Sequence, residues 1–178
     1  MKAMAAAPAG RMKRVLIIVF YTVMTWFVVP AAAILPSRWL DGRWGLRFAA
    51  PGALLVAGAG LTIVSGVLAG AALVQFCRFA GELPISAFPS QRLAQSGLYR
   101  VWRHPFYLFY ALCFAGLGLM SGSGGLLLVL FPVLVVFELW YIAREERGLV
   151  RRFGVAYLEH RRRTPLLIPR LRSGHGRT

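Results

Sequence analysis

The chain has 178 residues, is 58% hydrophobic with a mean hydropathy of +0.62, and carries a net charge of +15 from 21 basic and 6 acidic residues. That apolar content excludes an ordinary soluble domain and points to one compact multi-span membrane protein. The two cysteines, Cys77 and Cys113, and three scattered histidines give no disulfide framework and no metal pattern, and the basic excess reads as cytoplasmic loops against anionic lipid rather than nucleic-acid binding.

Residues 1–14 are small and basic, and a disordered cytoplasmic N-terminus is expected there. Val15–Leu35 is an apolar run of bilayer-spanning length. Ala31–Ala33 resembles a signal-peptide cleavage site, but the apolar core is too long for one, so an uncleaved first span is expected. Pro30 bends or ends that helix. Residues 36–49 carry Arg38, Trp39, Asp41, Arg43, Trp44 and Arg47, a composition typical of an interfacial segment. Pro51–Val74 is the second span, so residues 15–75 form two transmembrane helices. Its small residues at every fourth position (Gly58, Thr62, Gly66, Gly70) offer a packing face.

Residues 76–170 form the expected functional core. A long segment, 77–105, has little hydrophobic periodicity but is dense in Tyr, Trp and Arg, which argues against disorder. Phe106–Met120 is a short third span, Ser121–Gly125 a tight turn, and Leu126–Ala143 a fourth span, giving a helical hairpin. From Arg144 a charged helical extension leaves the membrane and breaks at Gly154. A basic tail follows, with Arg161–Arg163 reading as a headgroup contact and His160 and His175 as solvated. Residues 171–178 are expected to be disordered. The fold class is therefore all-α and integral to the membrane, with about four transmembrane helices. Both termini and the 77–105 segment then share one side, which holds 18 of the 21 basic residues. The positive-inside rule makes that side cytoplasmic, most simply at an inner membrane.

The stretch Ser96–Tyr107 is polar, aromatic and basic in a mostly hydrophobic chain. Pro105 suits the first position of a helix and excludes His104 from the α region. Arg103, His104 and Tyr107 thus gather at a helix N-terminus, where an anion is favoured. The hairpin brings Glu145 and Glu146 to the same cytoplasmic face. Arginine and a helix N-terminus suit a carboxylate or phosphate, a glutamate suits an ammonium or ribose hydroxyl, and aromatics suit a base or a cation. S-adenosylmethionine would use all of these; NADPH would fit the arginines but leave the glutamates idle. Glu138, within the fourth span, lies on roughly the same helix face as Glu145. It either lines the active cavity or pairs with an arginine.

The runs Gln91–Tyr99, Arg103–Tyr107, Glu145-Glu146-x-x-Leu149, Phe153-Gly154 and Tyr157 resemble the isoprenylcysteine carboxyl methyltransferase family and its phospholipid N-methyltransferase relatives. The resemblance implies an S-adenosylmethionine-dependent membrane methyltransferase. In it Gln91, Arg92, Leu93, Ala94, Tyr99, His104, Pro105, Phe106, Tyr107 and Glu145 would contact the cofactor; Arg103 and Glu146 join them from the chemistry of that face. Gln91 stands where the prenylcysteine enzymes tend to have His, and Tyr141 where they place an acceptor-binding Arg, so the resemblance supports the cofactor site more than a prenylcysteine substrate. A lipid-like acceptor, entering between apolar helices, is expected. A carboxylate acceptor needs no base, whereas an amine must lose a proton, for which His104, Glu145 and Glu138 are the candidates. Two competing readings are an NADPH-dependent reductase of the sterol reductase type and a non-catalytic protein that binds anionic lipid or a partner chain.

Overall fold

The computed structural model describes residues 16–17, 19–20, 22–80 and 92–167, and within them the architecture is helical, with a single isolated bridge between Arg47 and Ser123. A π-helical turn, Met24–Val28, leads into α1 (Val29–Trp44). Then come α2 (Gly52–Ala80), the single turn α3 (Leu98–Val101), α4 (Pro105–Ser121), a second π turn at Gly125–Leu130, α5 (Phe131–Phe153) and α6 (Val155–Arg163).

Prolines explain both π turns. Val29 N–H bonds to Met24 O and Phe131 N–H to Leu126 O, the wide five-residue register, and each turn is followed at once by a proline, Pro30 or Pro132. Proline has no N–H and its ring crowds the carbonyl one turn back, so a widened turn lets the helix pass through it. In that register Pro30 would have served the Thr25 carbonyl. Thr25 O instead accepts the Tyr110 hydroxyl at 2.5 Å, which fastens the first helix to α4.

The expectation of a helix ending near Leu35 is corrected: α1 continues through Pro36 to Trp44 and closes at Gly45, in the left-handed conformation at φ 62°, so most of the stretch 36–49 is helical. The polar residues of that stretch suggest an interface by composition, yet two of them are buried with partners. Ser37 donates to Ile34 O at 2.7 Å. Asp41 accepts from Ser123 Oγ at 2.6 Å and from Gly125 N–H at 2.6 Å. The segment after α1 then pairs with the turn after α4, through Phe48 N–H to Gly122 O at 3.0 Å and Gly124 N–H to Leu46 O at 3.1 Å.

α4 is the central helix. Nine of its 17 residues are buried, including the aromatic series Phe106, Tyr107, Phe109, Tyr110 and Phe114. It crosses α2 at backbone contact distance. A Cβ added at Gly58 would lie 2.6 Å from Met120 N, and one at Gly116 2.7 Å from Thr62 N. Gly58 and Thr62 therefore form the packing face expected of them. Gly66 and Gly70 do not, since a Cβ at either meets nothing within 4 Å. The buried positions farther along α2 are Ser65, Ala69 and Ala72, because the 3.6-residue repeat carries the contact stripe off a strict four-residue row.

The outer faces stay apolar. Val56, Ile63 and Val67 on α2, and Val133 and Val136 on α5, are each 60% or more exposed. Gly52–Phe79 and Gly125–Phe153 are long and apolar enough to cross a bilayer, with mean hydropathies of 2.0 and 2.5 and only 17% of their most apolar windows buried. Exposed apolar helices of this kind call for lipid around them. About 20 residues cover the hydrocarbon core, so the apolar part of the last helix is used up by Ala143. The charged stretch Arg144–Phe153 stands beyond it.

Candidate functional site

The site forms where α4 begins. Pro105 occupies the first turn, and His104 before it is held at φ −128°, ψ 61°, outside the α region. Upstream, the chain turns at Gly97 (φ 60°), where any Cβ would strike the Gln75 side chain. Gln75 Oε1 accepts the Leu98 N–H at 2.9 Å and so ties α3 to α2. Downstream, Arg103 N–H donates to Pro165 O at 3.0 Å, so the stretch after α6 closes over the same segment. Tyr99, His104, Phe106 and Tyr107 are all buried as a result.

α5 brings two adjacent carboxylates to this segment, and they take different positions. Glu146 Oε1 accepts from Arg103 Nη1 at 2.5 Å, and its Oε2 lies 3.8 Å from Nε of the half-exposed Arg161. Glu145 Oε2 accepts from the Tyr107 hydroxyl at 3.1 Å. The His104 ring sits between them, Nδ1 3.8 Å from Glu145 Oε2 and Nε2 3.5 Å from Glu146 Oε1. The hairpin geometry expected from the sequence is therefore present. Glu146 is used as an anchor for the loop, while Glu145 faces a cleft.

Electrostatics separate the two further. Burial raises the Glu145 carboxyl above the usual range, with His104 and the Tyr107 hydrogen bond offsetting part of the rise. Burial works in the same direction on Glu146, but His104, Arg103 and Tyr157 outweigh it and hold that carboxyl at about 2. The phenols of Tyr99 and Tyr157 are pushed up, first by burial and then by Glu145 and Glu146 respectively, so both are neutral donors at physiological pH. Burial, then Arg103 and His104, lowers His160 and keeps its imidazole neutral.

The cleft is lined by Phe76, Arg92, Leu93, Ala94, Tyr99, Arg103, His104, Phe106, Tyr107, Glu145, Leu149, Tyr157 and His160. Of the residues singled out from sequence, Arg92, Leu93, Ala94, Tyr99, Arg103, His104, Phe106, Tyr107 and Glu145 come together here. Pro105 and Glu146 lie behind the lining, and Gln91 falls outside the described residues. Glu138 is buried two turns along α5 from Glu145 and does not line the cleft. Its Oε1 has no hydrogen-bond partner among the described residues, and no arginine pairs with it there.

The other four lining residues are Phe76, Leu149, Tyr157 and His160. Phe76 belongs to a helix expected to end at Val74. Leu149 and Tyr157 belong to the Glu-Glu-x-x-Leu and Phe-Gly-x-x-Tyr runs, whose spacing is the signal for them. His160, expected to be solvated, is instead half-buried, with Nδ1 3.4 Å from Thr164 Oγ1.

The donor set suits a zwitterionic nucleoside. Glu145 can receive an ammonium or ribose hydroxyls, Arg92 and Arg103 a carboxylate, and Phe76, Tyr99 and Phe106 a flat base. Buried polar atoms that make no hydrogen bond among the described residues gather here as well, namely Arg103 Nε, Tyr157 Oη and, next to them, Trp102 Nε1. Such atoms are rare in folded proteins and indicate where a polar ligand or water would be received. The cleft has a volume of about 30 Å³, smaller than a nucleoside.

The chain is 33% identical over 154 residues to the cobalt-zinc-cadmium resistance protein CzcN of Cupriavidus metallidurans, covering 85% of this chain and 62% of that protein. It is 39% identical over 74 residues to methanethiol S-methyltransferase 2 of Bradyrhizobium diazoefficiens, covering 42% of this chain and 27% of that enzyme. It thus spans less than two thirds of the length of either relative. A family model described as phospholipid methyltransferase matches residues 49–156, which take in α2 through α5 and all of the cleft lining except Tyr157 and His160. With well over half of its length in that match, the chain belongs to the phospholipid methyltransferase family.

Proposed function

We propose that this chain is an integral-membrane methyltransferase that uses S-adenosylmethionine and methylates a lipid-like or membrane-partitioning acceptor at oxygen or nitrogen. The observation that carries the reading is the joining of Glu145 on α5 to the His104–Tyr107 segment of α4 at the mouth of one cleft. Membership of the family and the apolar outer faces of α2 and α5 support it. In this reading the helices cross an inner membrane four times, with both termini and the cleft on the cytoplasmic side.

The cofactor, when bound, supplies an electrophilic methyl group on a sulfonium. The protein's share is positioning and exclusion of water. Glu145 and Tyr107 would fix the polar end of the nucleoside and Arg92 its carboxylate; Arg103, already held by Glu146, would present its remaining N–H groups. Phe76, Tyr99 and Phe106 would keep water from the methyl group. An acceptor arriving as an ammonium would lose its proton to a carboxylate, with Glu145 at the cleft and Glu138 deeper in the helix as the available bases. A thiol is a third acceptor class to test, since the Bradyrhizobium relative acts on methanethiol.

Isothermal titration of the detergent-purified protein with S-adenosylhomocysteine, beside His104→Ala and Glu145→Ala, tests the reading. Binding to the parent that both variants lose is the expected result. A folded parent that ignores S-adenosylhomocysteine but binds NADPH would replace this reading with the reductase one.

A further inference from the structure

We propose that the chain holds one anionic phospholipid in a second cavity, at the far end of α4, with Arg38 and Arg47 as ligands for its phosphate. The 17 residues of α4 rise about 25 Å, close to the thickness of a hydrocarbon core, so this cavity lies on the opposite membrane face from the cleft. The inference therefore rests on the membrane reading above, but on none of the cleft's chemistry.

The cavity has a volume of about 780 Å³ and lies between α1, the segment after it, and the end of α4. Its lining is graded. Leu117, Met120 and Leu126 form an apolar wall, Asp41 and Ser123 a polar floor, and Arg38 and Arg47 the rim. The floor is already satisfied within the protein. Asp41 accepts from Ser123 Oγ and from Gly125 N–H, and the Ser123 oxygen accepts from Leu126 N–H at 3.1 Å. The rim is not: neither Arg38 nor Arg47 has an ion pair among the described residues, and both side chains are exposed.

Two guanidiniums facing one internally engaged carboxylate leave the cavity net positive. By charge counting only three of the chain's 21 basic residues, Arg38, Arg43 and Arg47, lie on this side, and two of the three line the cavity. Trp39 and Trp44, 65% and 59% exposed on the same helix, mark the headgroup level. A cationic rim above an apolar wall at that level suits an amphiphile with an anionic head. Free phosphate would use the rim and leave the wall bare.

Native mass spectrometry of the full chain released from micelles reads this directly. Phosphatidylglycerol is titrated against phosphatidylcholine of the same acyl chains, with inorganic phosphate as a competitor. The expected result is one phosphatidylglycerol retained several-fold over phosphatidylcholine and not displaced by phosphate. Arg38→Gln/Arg47→Gln should lose that preference, while Arg43→Gln, on the same segment but outside the lining, should keep it. Equal retention of both lipids, a preference that survives in the double variant, or displacement by phosphate alone would overturn the proposal. S-adenosylhomocysteine affinity, measured on the same double variant, should match the parent, so a failure here stays distinct from a failure of the methyltransferase reading.

Discussion

Removing Glu146 should unlock the loop that carries the cleft, and the loss can be sized in two independent ways. Glu146 is 8% exposed and holds the Arg103 guanidinium at 2.5 Å, with His104 Nε2 at 3.5 Å. Breaking one partner of a buried pair leaves a buried charge uncompensated, at a cost of about 3–5 kcal/mol. A carboxyl held at about 2 rather than its usual 4.5 corresponds to about 3 kcal/mol at 1.36 kcal/mol per unit. Solvent reaching Glu146 from the Arg161 side puts the expectation at the lower end, about 2–3 kcal/mol. For Glu146→Leu, an apparent unfolding midpoint about 4–12 °C below the parent in detergent follows. Arg103→Met should cost a comparable amount, and the double variant less than the two single losses summed, with a coupling of about 2 kcal/mol. Because the folded carboxyl is depressed, its contribution is fully present above the ordinary carboxylate range. It is lost as pH falls from about 4.5 toward about 2, and Glu146→Leu should flatten that acid limb. Additive single variants, or an acid limb identical to the parent's, would refute the anchoring role.

Three further outcomes follow from the packing and the hydrogen bonds. Tyr107→Phe deletes the 3.1 Å bond to Glu145 and should weaken S-adenosylhomocysteine binding about fivefold to tenfold, or about 1 kcal/mol, with a small loss of melting temperature from the Glu145 carboxyl left with one donor fewer; calorimetry and a thermal scan measure the two. Gly116→Ala forces a methyl onto the Thr62 backbone and should cost about 1–3 kcal/mol, whereas Gly66→Ala and Gly70→Ala, in open positions, should be neutral or raise the midpoint slightly through helix propensity. Asp41→Ala leaves the Ser123 hydroxyl and the Gly125 N–H buried without an acceptor, at about 1–3 kcal/mol for each group so left. Hydrogen exchange should localise that loss to residues 41–47 and 121–127 rather than to the cleft.

What the sequence determined by itself is local or additive. The last three apolar runs fall on α2, on α4 and on the second π turn with α5, because hydropathy sums along a chain without knowing its neighbours. Pro105 fixed the start of α4 and the extended His104, and Gly154 fixed the break before α6, because both act through their own backbone dihedrals. The hairpin brought the Arg-His-Pro segment to the glutamate pair because a short turn commonly sets two helices side by side and antiparallel. Which glutamate faces the cleft was a tertiary decision. Adjacent residues on a helix point about 100° apart, so the rotation of α5 against α4 gave Glu146 to Arg103 and Glu145 to Tyr107. Tertiary contacts also carried α1 past Pro36 to Trp44, since only the turn after α4 supplies the donors that let Asp41 be buried. They took Gly58 and Thr62 but not Gly66 and Gly70, because the buried stripe continues through Ser65, Ala69 and Ala72 and leaves a strict four-residue row. And they brought Phe76 and His160 to the cleft from helices whose own sequence carries no sign of what they would meet.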